Sequence, residues 1–291
     1  MRILKRIIRG INFRLNTYFL TCFAIFDYIR SNNNIHINPS ICGFFQCYKQ
    51  PKSAITSLAS FRKIYPTSTI HVFCDNGFDF SHVASHFNCK YEYLSNKSGK
   101  GVTLFFLTKE QVISYMKRLV FTAQNSTEDF LMILEDDFRV YKKIKKLKFD
   151  WNCVKPDHHF VGGKLTSLLR ARNSSIPIYV RNMYFTGCGG AMVNRAFLVK
   201  HFSDEKKLGN AVDEVAPYIL NQWGAMPQDA ILTALILYFG GTAGRYAGFT
   251  EARYLKYRLR PFLGSFDIVH NDKSLYNVPL SEEENKIFCG K

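Results

Sequence analysis

Residues 41–77 read ICGFFQCYKQPKSAITSLASFRKIYPTSTIHVFCDNG. The apolar run at 41–48 predicts a buried strand, and the apolar residues of 52–63 recur at helical spacing. Pro66 ends that helix, and a second apolar run at 70–74 stops at an Asp-Asn-Gly turn signal. This succession of strand, helix and strand is the opening of a β-α-β unit.

The alternation of strands and helices continues along the chain. A short helix is predicted near 81–87, a strand at 90–94 and a long helix at 108–123, where Thr108 and Gln111 match a capping box. Strands that alternate with helices favour a mainly parallel sheet between helical layers. We therefore predict an α/β fold in which helices flank a mainly parallel central sheet.

The composition is that of a globular protein with a large excess of positive charge. The 291 residues are 47% hydrophobic, which excludes a disordered chain, and include 39 lysines and arginines against 23 acidic residues, a net charge of +16. This charge favours an anionic partner, which could be nucleic acid, a membrane surface or a phosphorylated substrate. The eight cysteines contain no C-x-x-C pair, which argues against a structural zinc site.

The first 40 residues differ from the rest of the chain. Residues 1–14 are basic, and residues 15–26 are mostly apolar but too short to span a bilayer, which takes about 20 residues. We interpret 1–40 as a basic lead, either an amphipathic helix or a flexible segment, with peripheral membrane contact as one role for it. Because no signal peptide or transmembrane helix is recognisable, a cytoplasmic or peripheral-membrane location is expected.

The strongest functional signal is the junction between an apolar strand and three acids. Residues 130–134 (FLMIL) predict a buried strand, and Glu135, Asp136 and Asp137 follow it directly. Ligands of parallel α/β sheets collect at the carboxyl ends of the strands. Adjacent carboxylates repel one another, and a hard cation such as Mg²⁺ or Mn²⁺ would hold them together. The alternative is a solvated acidic turn after a buried strand.

Residues 131–137 (LMILEDD), together with the opening unit, resemble glycosyltransferases of the GT-A fold, which use nucleotide sugars. The segment CYKQP at 47–51 and the strand that ends in Asp-Asn-Gly also match that family, and the resemblance covers residues 41–270. It implies a Rossmann-like three-layer sandwich. One catalytic domain would span 41–291, with a nucleotide-sugar half up to residue 137 and an acceptor half after it.

The resemblance also implies roles for individual residues. Asp137 would ligate a divalent cation, Mn²⁺ or Mg²⁺, that bridges the diphosphate of a nucleoside-diphosphate sugar. Glu135 and Asp136 would hold the metal or the ribose, and Asp75 would contact the base or ribose of the donor. Lys49 lies nearby and replaces an arginine that is often found there; a lysine offers a point charge in place of a rigid fork.

Two further segments match the family pattern. Residues 184–193 (YFTGCGGAMV) resemble the small-residue segment that lines the donor and acceptor crevice, where Gly189 and Gly190 allow close backbone approach to a ligand. The alternative is a tight bulge in an ordinary strand. His270 stands where some members place a histidine that completes the metal shell or contacts phosphate, although a lone histidine is usually not a ligand.

Asp229 is the candidate for a general base. In inverting members of the family, an acid at the start of a helix after the glycine segment removes the proton of the acceptor hydroxyl. An acid two residues after Pro227 is also what ordinary helix initiation produces. Asp213 and Glu214 are the other candidates for this role.

The resemblance implies transfer of a sugar to a hydroxyl of a glycan, glycoprotein or glycolipid, with inversion if Asp229 is the base. Two other functions stay open. The net charge and the run KKIKK at 142–146 suggest nucleic-acid binding, but no zinc-finger spacing or RNP-like motif is present, so no specific nucleic-acid partner is expected. A metal-dependent nucleotidyltransferase would share the sheet and the acidic site but would release pyrophosphate.

Overall fold

The computed structural model describes most of the chain. The described residues are 35–94, 105–153, 159–160, 163–176, 183–184, 189–246, 248–251, 266–270 and 273–290. Residues 1–34 of the basic lead predicted at 1–40 lie outside these ranges, and so do residues 185–188 of the segment at 184–193.

Strands and helices alternate through the first half of the described chain. The strands are β1 (His36–Ile37), β2 (Ile41–Cys47), β3 (Ile70–Asp75), β4 (Lys90–Leu94), β5 (Phe105–Phe106), β6 (Phe130–Leu134), β7 (Arg139–Val140), β8 (Lys146–Leu147), β9 (Trp151–Cys153), β10 (His159–Phe160), β11 (Met183–Tyr184), β12 (Met192–Asn194), β13 (Met226–Pro227), β14 (Ala243–Arg245), β15 (Phe249–Glu251) and β16 (Ile268–His270). The helices are α1 (Pro51–Ile64), α2 (Ser81–His86), α3 (Lys109–Gln124), α4 (Gly163–Arg172), α5 (Arg195–Phe202), α6 (Glu205–Trp223), α7 (Gln228–Tyr238) and α8 (Glu282–Cys289).

A seven-stranded sheet forms the centre of the molecule. Its strand order is β14-β9-β12-β6-β2-β3-β4. Strand β12 is antiparallel to both of its neighbours, β6 and β9, and every other pair in the sheet is parallel. The prediction of an α/β fold with a mainly parallel central sheet is therefore confirmed.

The predicted strands of the first half agree with the structure to within one residue. Strands β3 and β6 are buried along their whole length, and β2 is buried at all but one position. Strands covered on both faces appear in a sequence as continuous apolar runs, which makes them easy to locate. The capping box of α3 is also present, because the Thr108 side chain accepts from the backbone N–H of Gln111 and the Gln111 side chain accepts from the N–H of Thr108.

The packed part of the chain begins slightly before the predicted boundary at residue 41. Strand β1 pairs with β8, and the backbone N–H of Asn38 donates to the carbonyl of Lys145. The Ser40 hydroxyl and backbone N–H both donate to Asp129 Oδ2. These contacts join residues 36–40 to the domain.

The order of the strands creates a crevice at one end of the sheet. From β2 the chain moves outward through β3 to β4, and it then returns to β6 on the other side of β2. Loops at the carboxyl ends of β2 and β6 therefore leave in opposite directions, and such a switch point is where ligands of α/β sheets bind. Glu135 follows β6 at this point.

Within the described part of the chain, no helix combines the length and the apolar character that crossing a bilayer requires.

His71 gives a prediction about the pH dependence of stability. Its ring is buried in β3, and burial, followed by the charge of Lys90, lowers its pKa from 6.5 to about 4. The unfolded chain takes up this proton near pH 6.5 while the folded chain does not, so stability falls as the pH drops from 6.5 towards 4. Between pH 7 and pH 4.5, this difference in pKa lowers the free energy of unfolding of the wild type by about 2 kcal/mol. We expect the free energy of unfolding of His71→Gln to fall by about 2 kcal/mol less over the same range.

The measurement is urea unfolding at both pH values. His86→Gln is the matched control because His86 is exposed, and it should leave the difference between the two pH values unchanged. If the free energy of unfolding of His71→Gln changed between the two pH values as much as that of the wild type, the lowered pKa of His71 would be contradicted.

Candidate active site

Three side chains with metal-ligating atoms meet at the carboxyl end of β6. Glu135 and Asp137 come directly after β6, and His270 is the last residue of β16. His270 Nε2 lies 3.1 Å from Glu135 Oε2 and 3.3 Å from Asp137 Oδ1. One ligand atom from each residue lies within 4.8 Å of the other two. We call these three residues the acidic triad.

Strand pairing brings the distant histidine to the two acids. Strand β16 is antiparallel to β7, with Ile268 opposite Val140 and Val269 opposite Arg139. Because β7 begins two residues after Asp137, this register places His270 beside the loop that carries the acids. We call residues 135–140 the acidic loop.

Gly189 packs against the acidic triad, and Gly190 packs against Ile268 and Phe138 beside it. A Cβ on Gly189 would lie 2.7 Å from His270 Cδ2 and 3.3 Å from Glu135 Cβ. Gly190 has φ +92° and donates its N–H to the carbonyl of Ile133. The absence of a side chain at Gly189 therefore leaves room for the His270 ring. A direct contact of either glycine with a donor stays a prediction.

The chemistry of the triad fits a divalent cation. Glu135 Oε1 and Asp137 Oδ1 are buried, and neither accepts a hydrogen bond from the described residues. A buried carboxylate oxygen without a donor is costly, and a cation would satisfy it. Two carboxylates and an imidazole form a ligand set that suits Mn²⁺, with carboxylate oxygens that also suit Mg²⁺.

The side chain of Asp136, the middle acid, has a different partner. The Tyr276 hydroxyl donates to Asp136 Oδ1 over 2.6 Å. Burial raises the pKa of Asp136 to about 6, the Tyr276 bond opposes this, and the neighbouring charges of Asp137 and Glu135 raise it further. Asp136 is thus outside the triad, and its predicted hold on metal or ribose stays a prediction. Tyr276 was not predicted from the sequence, because no motif marks it.

Asp75 and Lys49 lie at the same end of the sheet as the acidic loop. Asp75 ends β3, is buried and accepts from Arg118 Nη1 over 2.9 Å; its Oδ1 has no hydrogen-bond partner within the described chain. The N–H of Phe78 donates to the carbonyl of Tyr48, which ties the turn after β3 to the segment after β2. Lys49 is exposed, with its Nζ 4.9 Å from the centre of the Tyr48 ring.

Asp229 lies in the first turn of α7, as predicted. Its Oδ1 accepts from the backbone N–H of Ala230 over 2.8 Å, and the side chain is partly exposed. The preceding residue, Gln228, is buried and donates to the Tyr115 hydroxyl in the N-terminal half of α3. This contact fixes the start of α7 beside α3. Helix α3 itself runs from the carboxyl end of the sheet back to the start of β6.

The two other candidates for the general base belong to ion pairs on α6. Asp213 Oδ2 lies 2.5 Å from Lys109 Nζ. Glu214 accepts from Arg172 Nη2 at both carboxylate oxygens and from the Tyr238 hydroxyl. Hydrogen bonds to Tyr238 and Arg172 lower the pKa of Glu214, which makes it a weaker base. Which of Asp229, Asp213 and Glu214 serves as the general base stays a prediction.

Comparisons with known proteins gave matches only among solved structures. No protein-family model and no curated protein matches the chain. The apo form of mouse xyloside xylosyltransferase 1 has a TM-score of 0.42 and 9% identity, over 83% of this chain and 100% of that chain. Galactosyltransferase LgtC, in complex with donor and acceptor sugar analogues, has a TM-score of 0.45 and 10% identity, over 84% and 99%. Both are glycosyltransferases, but similarity at this level does not extend to substrate, metal or mechanism.

The packing of Gly189 generates a prediction. In Gly189→Ala the new Cβ would displace the His270 ring, so the affinity for Mn²⁺ should fall about tenfold, as it does when groups that orient metal ligands are disturbed. Isothermal titration of the purified protein with Mn²⁺ measures this. Gly163→Ala is the matched control, because a Cβ there meets no atom within 4 Å. Equal Mn²⁺ affinities in the two variants would be evidence against the triad as the cation site.

Proposed function

We propose that this protein is a metal-dependent glycosyltransferase that moves a sugar from a nucleoside-diphosphate sugar to a hydroxyl acceptor. The observation that carries the proposal is the convergence of Glu135, Asp137 and His270 at the switch point of a mainly parallel sheet. A cation site in that crevice suits a substrate with a diphosphate, since divalent cations commonly share protein carboxylates with substrate phosphates.

The acidic triad would hold the cation through Glu135, Asp137 and His270. When bound there, a divalent cation offsets the negative charge that develops on the departing nucleoside diphosphate. The net charge of +16 acts in the same direction, because it attracts an anionic donor.

The nucleoside part of the donor would bind beside the ends of β2 and β3. Asp75 has a buried carboxylate oxygen, Oδ1, that accepts no hydrogen bond from the described chain, and a ribose hydroxyl is a suitable donor for it. Lys49 is exposed on the neighbouring segment and would contact the diphosphate or the base as a point charge. Gly189 and Gly190 would line the sugar side of the crevice.

Asp229 would act as the general base. Asp229 as a residue is partly exposed at the start of α7, where an acceptor hydroxyl would have to reach its carboxylate. Asp229 would take the proton of that hydroxyl as the oxygen attacks the anomeric carbon and the bond to the diphosphate breaks. Attack from the face opposite the diphosphate inverts the anomeric configuration. The acceptor would be a glycan or a glycoconjugate.

The first experiment incubates the protein with a panel of nucleotide sugars without acceptor, in Mn²⁺, Mg²⁺ or chelator. We expect one donor to release its nucleoside diphosphate only with metal, and Asp137→Asn to lower that rate at least 100-fold because the cation loses a ligand. Glu205→Gln is the control, since Glu205 lies in an exposed ion pair with Lys117.

The product distinguishes the reaction classes. Release of pyrophosphate would identify a nucleotidyltransferase and overturn the proposal. Metal-independent turnover, or equal turnover in Asp137→Asn, would overturn the metal site.

A second experiment tests the base with the donor so identified and a panel of acceptors. We expect Asp229→Asn to lower kcat for transfer by about 10² to 10⁴, the usual contribution of a general base, and to leave Mn²⁺ affinity unchanged. Glu214→Gln is the comparison, because Glu214 is the rival acid. Loss of transfer in Glu214→Gln but not in Asp229→Asn would reassign the base, and NMR of the product gives its anomeric configuration.

A further inference from the structure

Helix α1 presents three serines to the acidic loop. Ser53, Ser57 and Ser60 recur at intervals of four and three residues, which places them on one face of the helix. The Ser53 hydroxyl donates to the carbonyl of Asp136 and the Ser57 hydroxyl to the carbonyl of Glu135, both over 2.7 Å. The Ser60 hydroxyl accepts from the N–H of Val140 over 3.1 Å.

The bonds of Ser53 and Ser57 are not the usual ones for hydroxyls in a helix. A serine or threonine within a helix commonly bonds to the carbonyl four residues before it. Thr56 does so, because its hydroxyl donates to the carbonyl of Lys52 over 2.8 Å. Ser53 and Ser57 are fully buried and donate instead to residues 83 and 78 positions away. A buried hydroxyl is costly unless it has a partner, and the acidic loop supplies that partner.

These two serines act on the peptide units that join the three acids. The carbonyl of Glu135 also accepts from the N–H of Phe138 over 3.3 Å, and the carbonyl of Asp136 accepts from Arg139 Nη1 over 3.0 Å. Each carbonyl therefore has two donors. Because a peptide unit is planar, fixing its carbonyl fixes the direction in which the chain leaves it. These two planes hold the backbone that leaves Glu135 and the backbone that enters Asp137.

The acidic loop needs such support because its carboxylates repel each other. Glu135 and Asp137 both approach the His270 ring, and two like charges in a partly buried site favour a loop conformation that separates them. A loop held in place before the cation arrives binds it more tightly, since no ordering is required at that moment.

We propose that Ser53 and Ser57 are positioning residues for the cation site, which hold the backbone of the acidic loop so that Glu135 and Asp137 face His270. This inference rests on the proposed function, because it assigns the acidic triad to a divalent cation. Neither serine touches the cation or the substrate; both act through the carbonyls of the two residues they bond.

The test measures Mn²⁺ affinity of the full chain by titration, with free Mn²⁺ followed by electron paramagnetic resonance. We expect the Kd for Mn²⁺ to rise about tenfold in Ser53→Ala and in Ser57→Ala, the usual effect of removing a group that orients a metal ligand. Thr56→Ala is the matched control on the same helix, and its Kd should stay within twofold of the wild type. Urea unfolding of each variant shows which are folded during the titration.

A second readout separates positioning from stability. Donor hydrolysis at increasing Mn²⁺ should need about ten times more metal in the serine variants but reach nearly the wild-type kcat. A merely structural role would lower the urea midpoint and leave the Mn²⁺ dependence unchanged. If one serine variant does not fold, the other variant still tests the proposal, because each serine bonds a different carbonyl of the acidic loop.

The outcomes for the two proposals differ. Wild-type Mn²⁺ affinity in folded Ser53→Ala and Ser57→Ala would overturn the positioning role and leave the cation site standing. Absence of Mn²⁺ binding by the wild type would overturn both. An equal loss of affinity in Thr56→Ala would also overturn the positioning role, because the Thr56 hydroxyl bonds to the carbonyl of Lys52 in its own helix and not to the acidic loop.

Discussion

The repulsion between the carboxylates of Glu135 and Asp137 is the constraint on which the carboxyl end of the sheet depends. Both approach His270 Nε2 within 3.3 Å, and Glu135 keeps a second, buried oxygen, Oε1, that has no hydrogen-bond partner among the described residues. A fold that only had to be stable would separate such charges or supply donors. This arrangement supports the proposal that a cation binds at this end of the sheet.

The surroundings of the triad hold it from several sides. Helix α1 binds the carbonyls of the acidic loop, Tyr276 binds the side chain of Asp136, and β7 pairs with β16 to bring His270 alongside. Gly189 leaves the space that the His270 ring occupies. The site is thus assembled from five parts of the chain: α1, the acidic loop, Tyr276, β16 and Gly189.

The sequence drew attention to the three acids after β6, but it could not tell their surroundings apart. Glu135, Asp136 and Asp137 look equivalent in a run of three, and only the bond to Tyr276, 140 residues away, distinguishes the middle one. Ser53 and Ser57 had no signal either, because small polar residues on a core-facing helix are uninformative until their partners are known. The base role of Asp229 came from the resemblance, whereas Gly189 was also marked by the close backbone approach that a glycine allows, and both roles stay predictions.

What the sequence determined by itself is local. Continuous apolar runs fix β2, β3 and β6, and the capping residues Thr108 and Gln111 fix the start of α3, because burial and capping depend on neighbours within a few positions. The reversed direction of β12, the pairing of β7 with β16 and the approach of His270 to Glu135 were decided only by the tertiary structure. Pairing over such separations depends on how all the buried surfaces fit together, and a local pattern does not record that fit.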